Sequence, residues 1–135
     1  MKAKPRYAFH YTPAAYFAKF APGEDYTPPE FAQEGFIHST DGAENMANVA
    51  NAIYKDDPCD FVVLYIDKTW VKSRIKYEDP EVIYPHIYGP LNADAIVDKR
   101  PALRGPDGTF LLMPEIEDGA EIWVTAPHRP KPGGI

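Results

Sequence analysis

Residues 61–66 form an unbroken run of six apolar side chains, Phe-Val-Val-Leu-Tyr-Ile, which constrains the fold more than any other feature of the chain. The run is far shorter than the roughly 20 residues of a membrane-spanning helix. Its β-branched and aromatic side chains are typical of a strand. Because the run does not alternate between apolar and polar residues, it predicts a central strand that is covered on both faces.

Residues 43–55 predict one of the layers that cover this strand. Apolar side chains recur there at helical spacing, which indicates an amphipathic helix. Asp41 and Glu44 have the spacing of a capping box at its start, and Asp57-Pro58 follows its end. A second helix is predicted over residues 14–20, with Thr12 as N-cap and Pro13 at its first position.

The remaining segments predict short strands separated by turns. At 135 residues the chain fits one domain, and the sum of elements predicts an α+β fold with two helices in its N-terminal half. We assign the domain to residues 1–126 and a flexible tail to residues 127–135, which hold three prolines and two glycines. The further predicted strands are residues 6–11, 35–38, 74–78, 82–88, 95–97, 109–113 and 121–125.

Composition narrows the classes of function. The net charge is −6, and Lys and Arg do not cluster along the chain, so an extended nucleic-acid surface is not expected. Cys59 is the one cysteine, which precludes an internal disulfide and fits a reducing compartment. No apolar run has the length of a membrane span or of a signal peptide. We therefore expect a cytoplasmic protein without a membrane partner; the oligomeric state is open.

Three of the four histidines lie in short aromatic strings, and these strings are the main functional signal. His10, His38 and His86 each follow a strand-like segment, whereas His128 lies in the predicted tail. If the three strand ends meet, they form a polar pocket with aromatic walls, but spacing alone does not decide this. No H-x-H or H-x-x-x-H pair is present, so no metal is expected.

Each string allows a functional and a structural interpretation. Ser39 and Thr40 follow His38 just before a predicted helix N-terminus, where backbone N–H groups favour an anion such as phosphate; alternatively, they only cap the helix. Tyr84 and Tyr88 alternate with His86 on one strand face and can clamp a ring, but a core histidine is equally compatible. A lone strand histidine such as His10 is most often structural.

Three strings in this order resemble the small family catalogued as domain of unknown function 952. They are residues 34–38 (EGFIH), 77–80 (YEDP) and 84–91 (YPHIYGPL), and the similarity extends from about residue 7 to residue 98. Thr40, Tyr77 and Tyr84 stand where the family has serine, tryptophan and phenylalanine. Residues 100–135 have no counterpart in the family core, which implies an additional C-terminal hairpin over about residues 100–126 before the tail.

The family is distantly similar to ADP-ribosyltransferases and RNA 2′-phosphotransferases, which implies a mixed β-sheet core and NAD or ADP-ribose chemistry. By this resemblance His10 and Thr12 would hold the nicotinamide ribose, although Tyr11 replaces a glycine of that fold. Glu78 would bind the ribose 2′-hydroxyl. The candidate catalytic residues are His38, His86 and Glu78, and the candidate NAD-binding residues are His10, Thr12, Ser39, Thr40, Tyr88 and Gly89.

Two functions therefore remain open at this point, beside a small structural or partner-binding domain whose histidines are core residues. The first is an NAD-dependent or ADP-ribose-dependent transferase in which His38 and His86 bind phosphate or transfer protons near neutral pH. The alternative is a domain that binds a nucleotide or a phosphorylated small molecule without catalysis. Both functions use the same pocket, and the sequence does not identify the acceptor.

Overall fold

The structure is a computed structural model that describes residues 5–116. Its strands are β1 (Tyr7–Pro13), β2 (Thr40–Asp41), β3 (Phe61–Asp67), β4 (Arg74–Tyr77), β5 (Pro85–Tyr88) and β6 (Ile96–Pro101). Its helices are α1 (Ala14–Phe17), α2 (Phe31–Glu34) and α3 (Ala43–Tyr54), with 3₁₀ turns at Lys68–Trp70 and Ala93–Ala95. The α+β class predicted from the sequence is confirmed for this part of the chain.

The main sheet has four strands in the order β2-β1-β3-β6. Strand β3 lies between β1 and β6, and its buried side chains point to both faces, so the predicted central strand is confirmed. Every pairing among the described strands is antiparallel, and the expectation of a mixed sheet is therefore wrong. Strands β4 and β5 form a separate two-stranded sheet.

Apolar side chains form a core on each face of the main sheet. On one face Phe9, Val63 and Tyr65 pack with Met46 and Ala50 of α3. The other core lies around Leu64 and Ile66 and contains Tyr26, Ile37, Ile87 and Leu91. Ile37 and Ile87 exchange backbone hydrogen bonds of 2.8 and 3.0 Å. This bridge attaches the segment that carries His38 to strand β5, which carries His86.

The helix starts differ from the sequence prediction. Thr12 pairs with Val62 inside β1, and Pro13 occupies the N-cap position of α1, which ends at residue 17 rather than 20. Helix α3 begins after Gly42 without a side-chain cap. The Asp41 carboxylate instead contacts Lys68 Nζ at 2.7 Å, because a buried carboxylate gains more from a cation than from a cap. The predicted capping box is therefore wrong.

Several strand boundaries also differ. Residues 35–38 form only the single bridge through Ile37. Strand β5 begins at Pro85 rather than 82, because the Asp79 carboxylate accepts the backbone N–H groups of residues 83 and 84 and holds a turn. Residues 109–113 contribute one bridge, between Phe110 and Arg104, instead of a strand. The predicted strand 121–125 and the tail 127–135 lie outside the described residues.

Candidate active site

The three histidine strings converge on one cleft of about 420 Å³. His38 and His86 lie at its wall, and helix α3 and the segment around α2 complete it. The cleft combines imidazoles, carboxylates, hydroxyls and aromatic rings. Its lining comprises His10, Tyr11, Glu30, Glu34, His38, Ser39, Thr40, Met46, Val49, Ile53, Tyr54, Tyr84 and His86.

His38 and His86 form a contacting pair of imidazoles. Their ring centroids are 5.4 Å apart, and the rings stand edge to face at 81°. Phe36 stacks on His86 at a centroid distance of 4.2 Å and contacts the edge of His38 at 4.8 Å. The Phe36 ring thus holds both imidazoles in fixed positions. Phe36 precedes His38 by two residues, and in an extended chain such side chains lie on the same side. The sequence alone did not identify Phe36 as a site residue.

Each imidazole of this pair has its own carboxylate. His38 Nε2 lies 2.7 Å from Glu34 Oε1, and His86 Nδ1 lies 3.2 Å from Glu78 Oε1. Glu78 also accepts a hydrogen bond from the Tyr88 hydroxyl. This bond, and next the one to His86, lower the pKa of Glu78, so the carboxylate is charged at neutral pH. Glu78 therefore holds His86 in place, and the ribose 2′-hydroxyl contact predicted for Glu78 stays a prediction.

Glu34 was missed as a site residue, although it begins the string EGFIH. Helix α2 ends at Gly35, which adopts the left-handed conformation with φ of 80°. A residue with a side chain is strained at this φ, so glycine allows the chain to reverse here. The reversal brings Glu34 back to His38, four residues later. The sequence spacing of four residues was therefore a usable signal, but only with the turn known.

His10 is a buried residue of the cleft lining, and both of its ring nitrogens are engaged. Nδ1 lies 2.6 Å from the His38 carbonyl oxygen, and Nε2 lies 2.8 Å from the Tyr26 hydroxyl. A carbonyl only accepts, so Nδ1 carries the proton and the Tyr26 hydroxyl donates to Nε2. Burial lowers the pKa of His10 to about 4, which keeps the ring neutral. His10 thus positions the His38 backbone, and no ring nitrogen is left for the predicted ribose contact.

The hydroxyl residues occupy buried positions. The Ser39 hydroxyl donates to the Pro85 carbonyl oxygen at 2.5 Å and ties the two histidine segments together. Thr40 lies in β2 beside Phe9. Thr12 lines a smaller adjoining cavity of about 130 Å³. These positions leave the ligand contacts predicted for Ser39, Thr40 and Thr12 as predictions.

The N-terminus of α3 contacts a carboxylate. The backbone N–H of Ala43 donates to Glu115 Oε2 at 2.9 Å. Because Glu115 is the anion found at this end, the geometry gives no support to the phosphate position that the sequence predicted. The pairing joins residues 72 positions apart, so no local sequence signal could have revealed it.

Neither Tyr88 nor Gly89 belongs to the residues that line the cleft. The Tyr88 hydroxyl donates to Glu78, and its ring lies tilted against Phe36. Gly89 packs against Ser73, where an added Cβ would lie 2.4 Å from the Ser73 Oγ. This close contact and a φ of 150° explain the glycine, and the NAD contacts predicted for both residues stay predictions.

A partly buried network joins β2, the 3₁₀ turn at Lys68–Trp70 and β4. Lys68 Nζ contacts Asp41 Oδ1 at 2.7 Å and the Tyr77 hydroxyl at 2.5 Å, while that hydroxyl donates to Asp41 Oδ2 at 2.6 Å. Desolvation and the neighbouring carboxylate raise the pKa of Tyr77 well above its usual value. Tyr77 immediately precedes Glu78, so the network fixes the strand end from which Glu78 reaches His86.

Metal sites and membrane-spanning helices can be assessed directly in residues 5–116. No group of three or more His, Cys, Asp or Glu side chains in this part of the chain has the arrangement of a metal site. No helix there is long and apolar enough to span a membrane. The expectation that no metal is bound stays a prediction.

Two solved structures are similar in fold to this chain. No curated protein matches the sequence. The crystal structure of protein CC0527 from Caulobacter crescentus is similar, with 16% identity, a TM-score of 0.63, and coverage of 78% of this chain and 93% of that one. A double mutant of CC0527 gives the same values. At this identity the likeness concerns the fold alone, and it does not establish the ADP-ribosyltransferase-like fold.

The family comparison covers the two histidine strings and the elements that position them. The family is described as "Protein of unknown function (DUF952)", and its match extends over residues 11–99. This range includes His38, His86 and both of their carboxylate partners. The chain therefore belongs to the DUF952 family.

Proposed function

We propose that the protein binds a nucleotide-like ligand in the cleft and uses His38 and His86 for proton transfer, with NAD as the first candidate substrate. The contact between two imidazoles, each held by its own carboxylate, carries this proposal. Histidine changes its protonation state near neutral pH, so such a pair can take up and release protons during a reaction. A purely structural histidine does not need a carboxylate partner at an open cleft.

The two carboxylates suit this role for a physical reason. A carboxylate that accepts one imidazole N–H orients the ring and stabilises the imidazolium that forms when the ring takes up a proton. Glu34 contacts Nε2 of His38, and Glu78 contacts Nδ1 of His86. Each ring keeps its second nitrogen free of the hydrogen bonds seen in residues 5–116. That nitrogen is available to a ligand.

With NAD, the proposed reaction breaks the bond between ribose C1′ and the nicotinamide nitrogen. The electron pair of this bond goes to the ring nitrogen, so nicotinamide leaves as a neutral molecule. Water or an acceptor hydroxyl forms the new bond to C1′, and His38 or His86 takes up the proton that it loses. The residue predicted for the ribose 2′-hydroxyl, Glu78, serves in this proposal to orient His86.

Release of nicotinamide from NAD tests the proposal. Wild-type protein and the variants His38→Gln, His86→Gln and Glu34→Gln are incubated with NAD, and nicotinamide is measured by chromatography. Loss of the histidine that acts as general base is expected to slow release by about 10² to 10⁴-fold, and Glu34→Gln, which removes only the orienting carboxylate of His38, is expected to slow it less. Glu44→Gln is the matched control, because Glu44 is exposed on α3 and does not line the cleft.

Two outcomes separate the alternatives. Wild-type protein that releases nicotinamide no faster than buffer would contradict the proposed catalysis. If NAD or ADP-ribose nevertheless raises the melting temperature of the protein, the result favours the non-catalytic nucleotide-binding function. Loss of that shift in the double variant His38→Ala/His86→Ala would place the ligand at the histidine pair.

A further inference from the structure

The chain continues past β6 along helix α3. Residues 102–116, called the C-terminal segment below, lie beyond residue 99, where the family match ends. The segment buries Phe110 in the same core as Met46 of α3. The backbone N–H of Phe110 donates to Asn51 Oδ1 at 2.7 Å, and Asn51 Nδ2 donates to the Phe110 carbonyl oxygen at 3.0 Å. Two reciprocal hydrogen bonds therefore attach the segment to the middle of α3.

Arg104 attaches the C-terminal segment to the C-terminal end of α3. The last carbonyl groups of a helix have no partner within the helix. The Arg104 guanidinium donates to the carbonyl oxygens of Lys55 and Cys59 at 3.0 Å each. It also donates to those of Tyr54 at 3.5 Å and Gly108 at 3.1 Å. One side chain thus joins the segment to the end of the helix.

Glu115 attaches the same segment to the N-terminal end of α3. The backbone N–H of Ala43 donates to Glu115 Oε2 at 2.9 Å, and the helix dipole favours a carboxylate there. The helix begins after Gly42 without a side-chain cap of its own. The Tyr65 hydroxyl donates to the Pro114 carbonyl oxygen at 2.7 Å, which fixes the backbone next to Glu115 to strand β3. The segment therefore holds α3 at both ends as well as in the middle.

Helix α3 supplies one wall of the cleft. Four of its side chains belong to the cleft lining: Met46, Val49, Ile53 and Tyr54. His38 precedes β2 and His86 lies in β5, so the histidine pair belongs to other elements. A movement of α3 would therefore change the width of the cleft without moving the two imidazoles.

We infer that the C-terminal segment is a clamp that sets the position of α3 and thereby the width of the cleft, with Arg104, Asn51 and Glu115 as its positioning residues. None of these three is among the described residues that line the cleft, so they act through α3. The inference goes beyond the proposed function, because it concerns how the cleft wall is held and not which ligand binds there. It also gives a role to chain beyond the family core, which the sequence predicted only as a hairpin.

The methyl NMR signal of Met46 tests the clamp in the full chain without a ligand. Met46 lines the cleft and is one of three methionines, so the variant Met46→Leu assigns its signal. The double variant Arg104→Leu/Glu115→Ala releases both ends of α3. Its Met46 signal is expected to broaden or shift, because helices that are not held move in microseconds to milliseconds.

Two control variants separate a clamp from general stabilisation. Arg74→Leu/Glu81→Ala removes the same two kinds of side chain from exposed positions in or beside the β4–β5 sheet, and it should leave the Met46 signal unchanged. Ile66→Val lowers the stability through the core on the other face of the main sheet. It should also leave the Met46 signal unchanged, since this substitution does not touch α3.

Release of the clamp should also weaken binding in the cleft. The dissociation constant of ADP-ribose is measured by calorimetry for the wild type, the double variant and the two controls. If the released helix occupies its wild-type position for about a fifth of the time, the dissociation constant rises about fivefold. The controls are expected to retain the wild-type value.

Three results would overturn the inference. They are an unchanged Met46 signal in the folded double variant, an equal change of that signal in Ile66→Val, and an unchanged dissociation constant in the double variant of a wild type that binds ADP-ribose. If the double variant does not fold, Arg104→Leu and Glu115→Ala are compared singly by the same criteria, since each releases one end. The proposed function fails by a different result, the absence of both ADP-ribose binding and nicotinamide release. Each can fail alone, because the Met46 signal reports on α3 whether or not this ligand binds.

Discussion

Mild acid should destabilise the protein through His10. The folded state holds this imidazole neutral and lowers its pKa from 6.5 to about 4. Between about pH 6.5 and pH 4 the imidazole binds a proton in the unfolded chain but not in the folded protein. The free energy of unfolding is therefore highest above pH 6.5 and falls as the pH approaches 4. One pKa unit corresponds to about 1.4 kcal/mol, which gives about 3 kcal/mol in full and about 2 kcal/mol between about pH 7 and about pH 5.

Urea unfolding at these two pH values measures the effect. The variant His10→Asn retains an amide donor toward the His38 carbonyl but does not titrate, so its free energy of unfolding should fall by about 2 kcal/mol less than that of the wild type. His38 and Tyr26, the polar groups facing His10, are present in both proteins. Most carboxylates titrate below about pH 5 and contribute little in this window. Equal pH dependence in the two proteins would refute the reasoning.

Three further substitutions test the structure behind the cleft. Lys68→Met leaves the buried Asp41 charge unpaired and should lower the free energy of unfolding by about 3 kcal/mol, with partial recovery in Lys68→Met/Asp41→Asn, measured by urea unfolding. Gly89→Ala brings a Cβ against Ser73 at a φ of 150° and should lower the melting temperature, and Gly89→Ala/Ser73→Gly should recover only part of the loss, because it relieves the contact but not the backbone strain. Leu64→Ala in β3 should cost about 3 kcal/mol, and a cost below about 1 kcal/mol would contradict its place in the core.

The central strand and the long helix were predictable because their signals are local. A run of six β-branched and aromatic residues is typical of a buried strand, and residues 61–66 lie within β3 as expected. The spacing of Met46 and Ala50 identified the buried face of α3. In both cases the side-chain pattern of one segment is sufficient to predict the element, because the segment can be buried against any apolar layer, whichever part of the chain provides that layer.

The capping box at Asp41 shows where local reasoning fails. Its spacing was correct, but the carboxylate has a buried lysine partner 27 residues away, and that partner is stronger than a helix cap. The same holds for His10, whose partners are the His38 carbonyl and the Tyr26 hydroxyl. Interactions between distant segments decide the role of a polar residue when several roles fit its local sequence.

The histidine site was predictable from the sequence only in part. The sequence identified His38 and His86 as candidates, but it did not determine that they meet. Their contact depends on the bridge between Ile37 and Ile87, which pairs two segments that read only as separate strands. Phe36 and Glu34 became recognisable as partners only through this pairing and through the reversal at Gly35.

The imidazole signals of the protein give the most direct test that His38 and His86 form one ligand site. Histidine resonances, assigned with single His→Gln variants, are followed by NMR while NAD or ADP-ribose is added to millimolar concentration. We predict that the signals of His38 and His86 shift together with one dissociation constant. In a separate pH titration, the signal of His10 should stay unchanged above about pH 5, because this imidazole is neutral there. Signals of His38 and His86 that stay unchanged with both ligands would contradict the account.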